Sequence, residues 1–328
     1  MRQRAKKLRR PGRLALIGSL VIALVGAWSG ATFAAFTSQA NNPGNMVSAA
    51  PDWVGPSISG GIGTATGALG YISQGDTVYL YLNVNDSGNP ASGVASVSAS
   101  VNVPGYGTLT LPLTAGNYTH RGITYNYRSA AQALPIPFAE QTLPVTVTAT
   151  DNASNSTNQN LSVVVDNTAP TATNIQTTNR AGGTQSRAEA GDTIVDTFSE
   201  AIDPESIQAG WNGTSTAVRL RLIAGGTGND TVQIWNSGNS AQLPLGTVNL
   251  ARTDYINTGT ASFASSTMVL SGNTLTVTLG GTPTGGTPTT AAGTANMIWT
   301  PSGAATDPAG NGMSTAPRTE VAPTDRDF

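Results

Sequence analysis

Between residues 77 and 84 apolar and polar side chains alternate strictly, with Val78, Leu80, Leu82 and Val84 set against Thr77, Tyr79, Tyr81 and Asn83. The same period recurs from 96 to 103, where Val97, Ala99, Val101 and Val103 alternate with Ser96, Ser98, Ser100 and Asn102. Successive side chains of a strand point to opposite faces, so this period predicts half-buried β-strands. Shorter runs at 57–62, 109–113, 123–127, 145–150 and 161–165 read the same way. Turn-forming stretches such as DSGNPASG, VPGYG and TDNASNS separate them, and the first half comes to about seven strands.

The second half repeats this plan. Gly75-Asp76-Thr77-Val78 returns as Gly191-Asp192-Thr193-Ile194, and Asp151-Asn152-Ala153-Ser154-Asn155 returns as Asp307-Pro308-Ala309-Gly310-Asn311. The two landmarks lie 75 residues apart in the first half and 115 in the second. Strands are expected at 194–198, 218–223, 231–235, 246–250, 267–270, 274–279 and 296–300. Gly272-Asn273 supplies a two-residue type II′ turn, whose first position needs a positive φ that glycine adopts freely. About seven strands per half is the number an immunoglobulin-like sandwich requires. The expectation is therefore an all-β chain of two tandem immunoglobulin-like β-sandwiches, the second enlarged by about 40 residues.

Pro170, in the stretch 166–171, marks the boundary, because its fixed φ and missing amide suit a short stiff joint. The Gly- and Pro-rich stretch 280–294 reads as a surface loop. The resulting division is a signal peptide at 1–34, a linker at 35–55, a first module at 56–168, a second at 169–317 and a mobile tail at 318–328.

The amino end carries a different pattern. Seven basic residues, Arg2, Arg4, Lys6, Lys7, Arg9, Arg10 and Arg13, precede a nearly unbroken apolar run of 23 residues at 14–36. A basic region followed by an apolar one is an export signal, and Thr32-Phe33-Ala34 has the small-x-small form of a cleavage site, placing the cut between Ala34 and Ala35. The run is also long enough to cross a bilayer if it is retained. The stretch ATFAAFTSQANNPGNMVSAA resembles the processing region of camelysin-type and biofilm-fibre precursors, which are cut just before an Ala-Phe pair; here that pair is Ala35-Phe36. The remainder is expected outside the cell, secreted or at its surface, with membrane contact only through an uncleaved leader.

Charge narrows the partners. All eighteen acidic residues follow the leader, and nine basic ones remain beside them. A chain with that balance and no basic cluster cannot neutralise phosphates, so nucleic acid is excluded as a partner. Both lysines lie in the leader and there is no cysteine, so neither Lys–Asn isopeptide bonds nor disulfides brace the modules. Only 10% of residues are charged, but the grouped Val, Ile and Thr argue for folded β-structure over disorder.

The span VTVTATDNASNSTNQNLSVVVDNTAP resembles the last two strands and exit linker of bacterial Ig-like repeats of surface adhesins, and SGVASVSASV one of their central strands. DTFSEAIDPESI with ATDPAGNGMS resembles the Ig-like domains of S-layer proteins. These resemblances imply the fold and leave the ligand open, since such modules serve as spacers, adhesive tips and assembly units.

Candidate chemistry is sparse. One histidine and no cysteine exclude His-rich zinc sites and thiol nucleophiles. His120, in GNYTHRG, reads as a solvated turn residue, and no GxSxG elbow accompanies any serine. Asp196, Glu200, Asp203 and Glu205 are the densest acids and the residues a carboxylate-dependent glycoside hydrolase would use. Against that, Asp203-Pro204 reads as a turn or helix cap. Alternation sets Asp196 on the face of Ile194 and Phe198, so either the opposite face is buried or the strand lies at an edge.

Hard cations need oxygen ligands, and Asp151, Asn155 and Asp166 are the candidate set near the joint, with calcium the ion they suit. Asp307 and Asn311 occupy the matching corner of the second half. The same side chains also serve as turn closers that bind local amides. Trp53, Trp211, Trp235 and Trp299 either stack on sugars or fill cores. LPLTAG at 111–116 and LPLGT at 243–247 look like wall-sorting signals but lack the apolar and basic segment behind them.

These readings describe a noncatalytic structural or interaction protein whose partners are proteins or envelope and matrix polysaccharides. Self-association could occur through the segment 35–50. The competing readings are an adhesin for a glycan or matrix protein, and a hydrolase.

Overall fold

The structure is a computed structural model describing residues 52–88, 90–105, 107–321 and 326–328. The leader, the Ala34/Ala35 cleavage site and residues 35–51 of the linker lie outside the described residues. Ala50–Phe328 forms one compact unit, and it is nearly all β.

The first half contributes β1 (Ser57–Gly63), β2 (Tyr71–Ile72), β3 (Thr77–Asn85), β4 (Val94–Val103), β5 (Gly107–Leu111), β6 (Leu113–His120), β7 (Ile123–Ser129), β8 (Gln132–Ala133), β9 (Gln141–Asp151) and β10 (Ser156–Val165). They form two sheets, β1-β3-β7-β6 with β8 also on β3, and β2-β10-β9-β4-β5. All pairs are antiparallel except β2 with β10. One core joins the sheets: Leu80, Leu82 and Val84 of the first face Val145, Val147 and Val163 of the second. The apolar positions of the period-2 runs of β3 and β4 thus face inward, while on the outer face of β3 Tyr81 is itself covered, its ring 4.7 Å from His120 and 5.7 Å from Tyr125.

The polar strands were harder to anticipate. β10 begins five residues before its apolar part because Asn158 and Asn160 accept from Thr148 and Thr146 on β9 at 2.7 and 3.3 Å, a ladder of side chains on the solvent face. GNYTHRG is not a turn: it completes β6, and only Arg121 and Gly122 turn the chain. β6 is an edge strand exposed along most of its length, so burial imposed no apolar alternation on it. LPLTAG is the crossing from β5 in one sheet to β6 in the other.

The second half contributes β11 (Ala172–Thr178), β12 (Thr193–Phe198), α1 (Pro204–Ile207), β13 (Thr216–Ile223), β14 (Thr231–Asn236), β15 (Thr247–Asn249), β16 (Thr260–Ser271), β17 (Thr274–Thr278), β18 (Thr284–Gly285), β19 (Ile298–Thr300) and β20 (Arg318–Thr319). Here the strands do not divide into two sheets. They form one continuous sheet, β11-β12-β17-β16-β13-β14-β15-β19-β20, with β18 on β16. Val321 donates its amide to Asn174 Oδ1 at 2.9 Å and accepts from Gln176 Nε2 at 3.3 Å. The end of the sheet is thereby drawn back to its first strand, around a core that includes Trp299, Phe263, Leu220 and Ile175. The turn after β16 is as expected, with Gly272 at φ +58° and Ser271 paired to Thr274.

Three expectations change. Asp196 is neither on the outer face nor at an edge: β12 lies between β11 and β17, and Ile194, Asp196 and Phe198 are all buried. The segment at 318–328, expected to be mobile, is anchored to the second half through buried Glu320, Asp327 and Phe328. Phe328 is 1% exposed, its ring edge-on to Tyr255 at 6.0 Å. Its backbone accepts from the Ser186 amide at 2.8 Å and donates to Thr177 Oγ1 at 3.0 Å. His120 is also buried, its ring 4.7 Å from that of Tyr81 and its Nε2 3.2 Å from the Thr64 carbonyl. Burial lowers its pKa.

Candidate functional site

The repeated landmarks are corners. Asp76 accepts from the Ser73 amide and Asp192 from the Glu189 amide, each closing the turn into the next strand. The second landmark is a fuller duplication. Asn155 donates its amide and its Nδ2 to the two oxygens of Asp151, both at 2.8 Å, and Asn311 does the same to Asp307, again both at 2.8 Å. Each asparagine then reaches back to the chain segment entering its half of the protein. Asn155 Nδ2 donates to the Asp52 carbonyl at 3.2 Å and Asn311 Nδ2 to the Asp166 carbonyl at 2.9 Å.

This geometry divides the candidate calcium ligands. Asp151 and Asp166 do not meet: Asp151 gathers with Asp52 and Asp86, and Asp166 with Glu200 and Asp307. Asn155 orients Asp151 through its N–H groups and is the turn closer that was the alternative to a ligand. Within each trio a carboxylate oxygen from every member lies within 4.8 Å of the others. The partners missed in the sequence, Asp52, Asp86 and Glu200, had a signal there. Asp52 and Asp86 are 34 residues apart, as are Asp166 and Glu200, and both trios open on an Asp-x-x-x-Pro entry, Asp52 to Pro56 and Asp166 to Pro170.

The two trios differ electrostatically. In the upper one, Asp52 accepts from the amides of Val54 and Ser92, and these bonds lower its pKa; Asp86 accepts from the Gly93 amide at 2.6 Å. Its charge is already met by fixed donors. In the lower one, Glu200 has a buried Oε1 without a hydrogen-bond partner among the described residues. Desolvation first, then the nearby carboxylates of Asp166, Asp307 and Glu140, push Glu200 up to about 7. Desolvation likewise raises Asp307. Crowded carboxylates of this kind take up either a proton or a hard cation.

If the lower trio holds calcium, saturating the full-length protein should raise its unfolding temperature by about 5–10 °C, the effect of about 2.7 kcal/mol at a hundredfold excess over Kd. Asp166→Asn with Glu200→Gln should abolish the rise. An unchanged temperature in the unmodified protein, measured calorimetrically after chelation and calcium addition, would leave the trio as a proton-sharing corner.

Arg121 at the β6–β7 tip also clamps the first half of the chain to the second. Its guanidinium holds the Asp203 carboxylate through two nitrogens and lies 3.4 Å from Glu205, while Nε donates to the Thr66 carbonyl at 2.8 Å. Asp203 is the cap of α1, accepting from the Glu205 amide at 3.2 Å. Asn167 completes the contact, its side chain accepting from the Gln74 amide and donating to the Phe138 carbonyl. The four acids that a hydrolase would use therefore have separate settings: Asp196 in the core, Glu200 in the lower trio, and Asp203 and Glu205 on Arg121. Of the tryptophans, Trp211 and Trp299 are buried, Trp235 lies under the Arg221 guanidinium at 3.6 Å, and Trp53 is 78% exposed.

No family model matches the chain, and no curated protein matches it. A crystal structure of a DUF4785 family protein from Legionella pneumophila aligns at 11% identity over 67% of this chain and 47% of that one, with a TM-score of 0.24. The alignment thus spans about half the length of that protein. Among the described residues no helix is long and apolar enough to cross a membrane.

Proposed function

We propose that this chain is an exported, noncatalytic structural or interaction protein in which two modules, 56–168 and 169–317, act as one stiff unit at or beyond the cell surface. The observation that carries this reading is the joint. Fixed hydrogen bonds from Asn311 and Asn167, the Arg121 clamp and the lower trio occupy the end of the first module where a mobile linker would otherwise run. The first module supports an immunoglobulin-like assignment: β1-β3-β7-β6 facing β10-β9-β4-β5, with β2 crossing over to run parallel to β10, is the strand arrangement of such sandwiches. The second is an enlarged relative of that plan whose strands form one curled sheet. The basic and apolar leader supports export, and the net negative remainder favours protein or polysaccharide partners over nucleic acid. Exposed Trp53 and Val54, at the far end from the joint, offer such a partner an apolar contact.

Small-angle scattering on the full-length protein tests the stiffness. Arg121→Ala with Asn311→Ala should loosen the joint and raise the radius of gyration by roughly 10%, because modules without a fixed interface move independently. A scattering profile identical to that of the unmodified protein would remove the joint as the basis of this function.

A further inference from the structure

The first module leaves an apolar recess of about 600 Å³ between its two sheets. Its floor is formed by buried Ile72, Leu80, Leu143 and Val163, drawn from both sheets. Its mouth lies between β5 and β8, where inward-facing Leu109, which is 42% exposed, and half-buried Gln132 reach the surface. Both strands are the ends of pairings: among the described residues β5 pairs with β4 alone and β8 with β3 alone. The lining contains no acidic, basic or histidine residue.

Protein cores fill their space at the density of organic crystals, and apolar walls around a gap this large either lack contact partners or face water they cannot bind. The volume falls within the roughly 300–1,000 Å³ of small-molecule sites. We propose that the recess binds a neutral long-chain aliphatic molecule, a fatty alcohol or acyl ester, with the chain between the sheets and the polar head beside Gln132. The neutral head follows from the lining, since a carboxylate held there would lose its water without gaining a cation. A β-strand is a poorer occupant: β8 offers an edge of two residues, and the chain leaves it through Pro135 and Pro137, which have no amide to pair. The site is independent of the joint that supports the structural reading.

The test is a titration of the full-length protein with the neutral fluorophore Nile red. Binding should saturate with blue-shifted emission, and hexadecanol should displace the dye roughly tenfold more effectively than hexadecanoate. Leu109→Trp and Gln132→Trp place bulk in the mouth from opposite sheets, because Leu109 pairs with inward-facing Val101 and Gln132 with inward-facing Val78, so each should weaken binding by about tenfold or more. Val269→Ala, on β16 of the second half and outside the lining, should leave it unchanged. Absence of saturable binding, or binding that survives both mouth substitutions, overturns the site; equal displacement by hexadecanoate overturns the neutral head.

Discussion

Replacing Asp196 with leucine should stabilise the protein at pH 8 by about 4 kcal/mol and leave it nearly unchanged at pH 4. Asp196 sits on a central strand among Ile194, Val232, Ile234, Val248 and Trp299, beside a cavity of about 10 Å³. Its Oδ1 has no hydrogen-bond partner among the described residues. Burial alone raises its pKa from 3.8 to about 7. The sign follows directly. Between those values the folded protein holds a proton that the unfolded chain has released, so this group's destabilising effect is absent below about pH 4, grows as pH rises, and is complete above about 7. Leucine removes the titration and fills the small void beside it. The measurement is a pair of thermal unfolding series from pH 4 to 8, in which a gain of about 8–16 °C should open toward high pH. A gain independent of pH would show that packing, not charge, was the cost. Glu200, also raised to about 7, contributes the same slope to both proteins and cancels in the difference.

Phe328→Ala should cost about 3–5 kcal/mol and lower the unfolding temperature by roughly 6–20 °C. The ring is buried edge-on to Tyr255, and the hydroxyl of that tyrosine donates to Asp327 Oδ2 at 3.2 Å while accepting from the Asp327 amide at 3.1 Å. Burial, with the Asp327 charge beside it, raises the Tyr255 pKa and keeps the hydroxyl protonated as that donor. A free tail would make the substitution silent, so an unchanged midpoint in a denaturation experiment would contradict the packing described here.

The residues whose settings depart from the local pattern share a cause. Most of β6 and the first half of β10 carry side chains that face water, and their pairing is satisfied by backbone and polar ladders that leave no apolar period to read. Phe328 follows a stretch of prolines and charges, and nothing local marks one ring as the plug of a distant core. The acid trios behave likewise. Asp151 and Asp307 were visible as a repeated corner, but Asp86 and Glu200 belong to strand ends that only the stacking of β3 and β12 beside those corners brings within reach.

From its sequence alone this protein is legible as all-β. Strand period, turn residues, the two-residue turn at Gly272 and the recurrence of Gly-Asp-Thr are local properties, determined by backbone sterics and by which face of a strand meets the core. Tertiary structure alone decided that the second half closes as one curled sheet, that Arg121 grips α1 across the joint, that Asp196 faces inward and that Asp151 and Asp166 part company. Each of those depends on contacts between residues far apart in the chain, whose energies are set by burial and by the charges brought beside them, and such terms leave no periodic trace along the sequence.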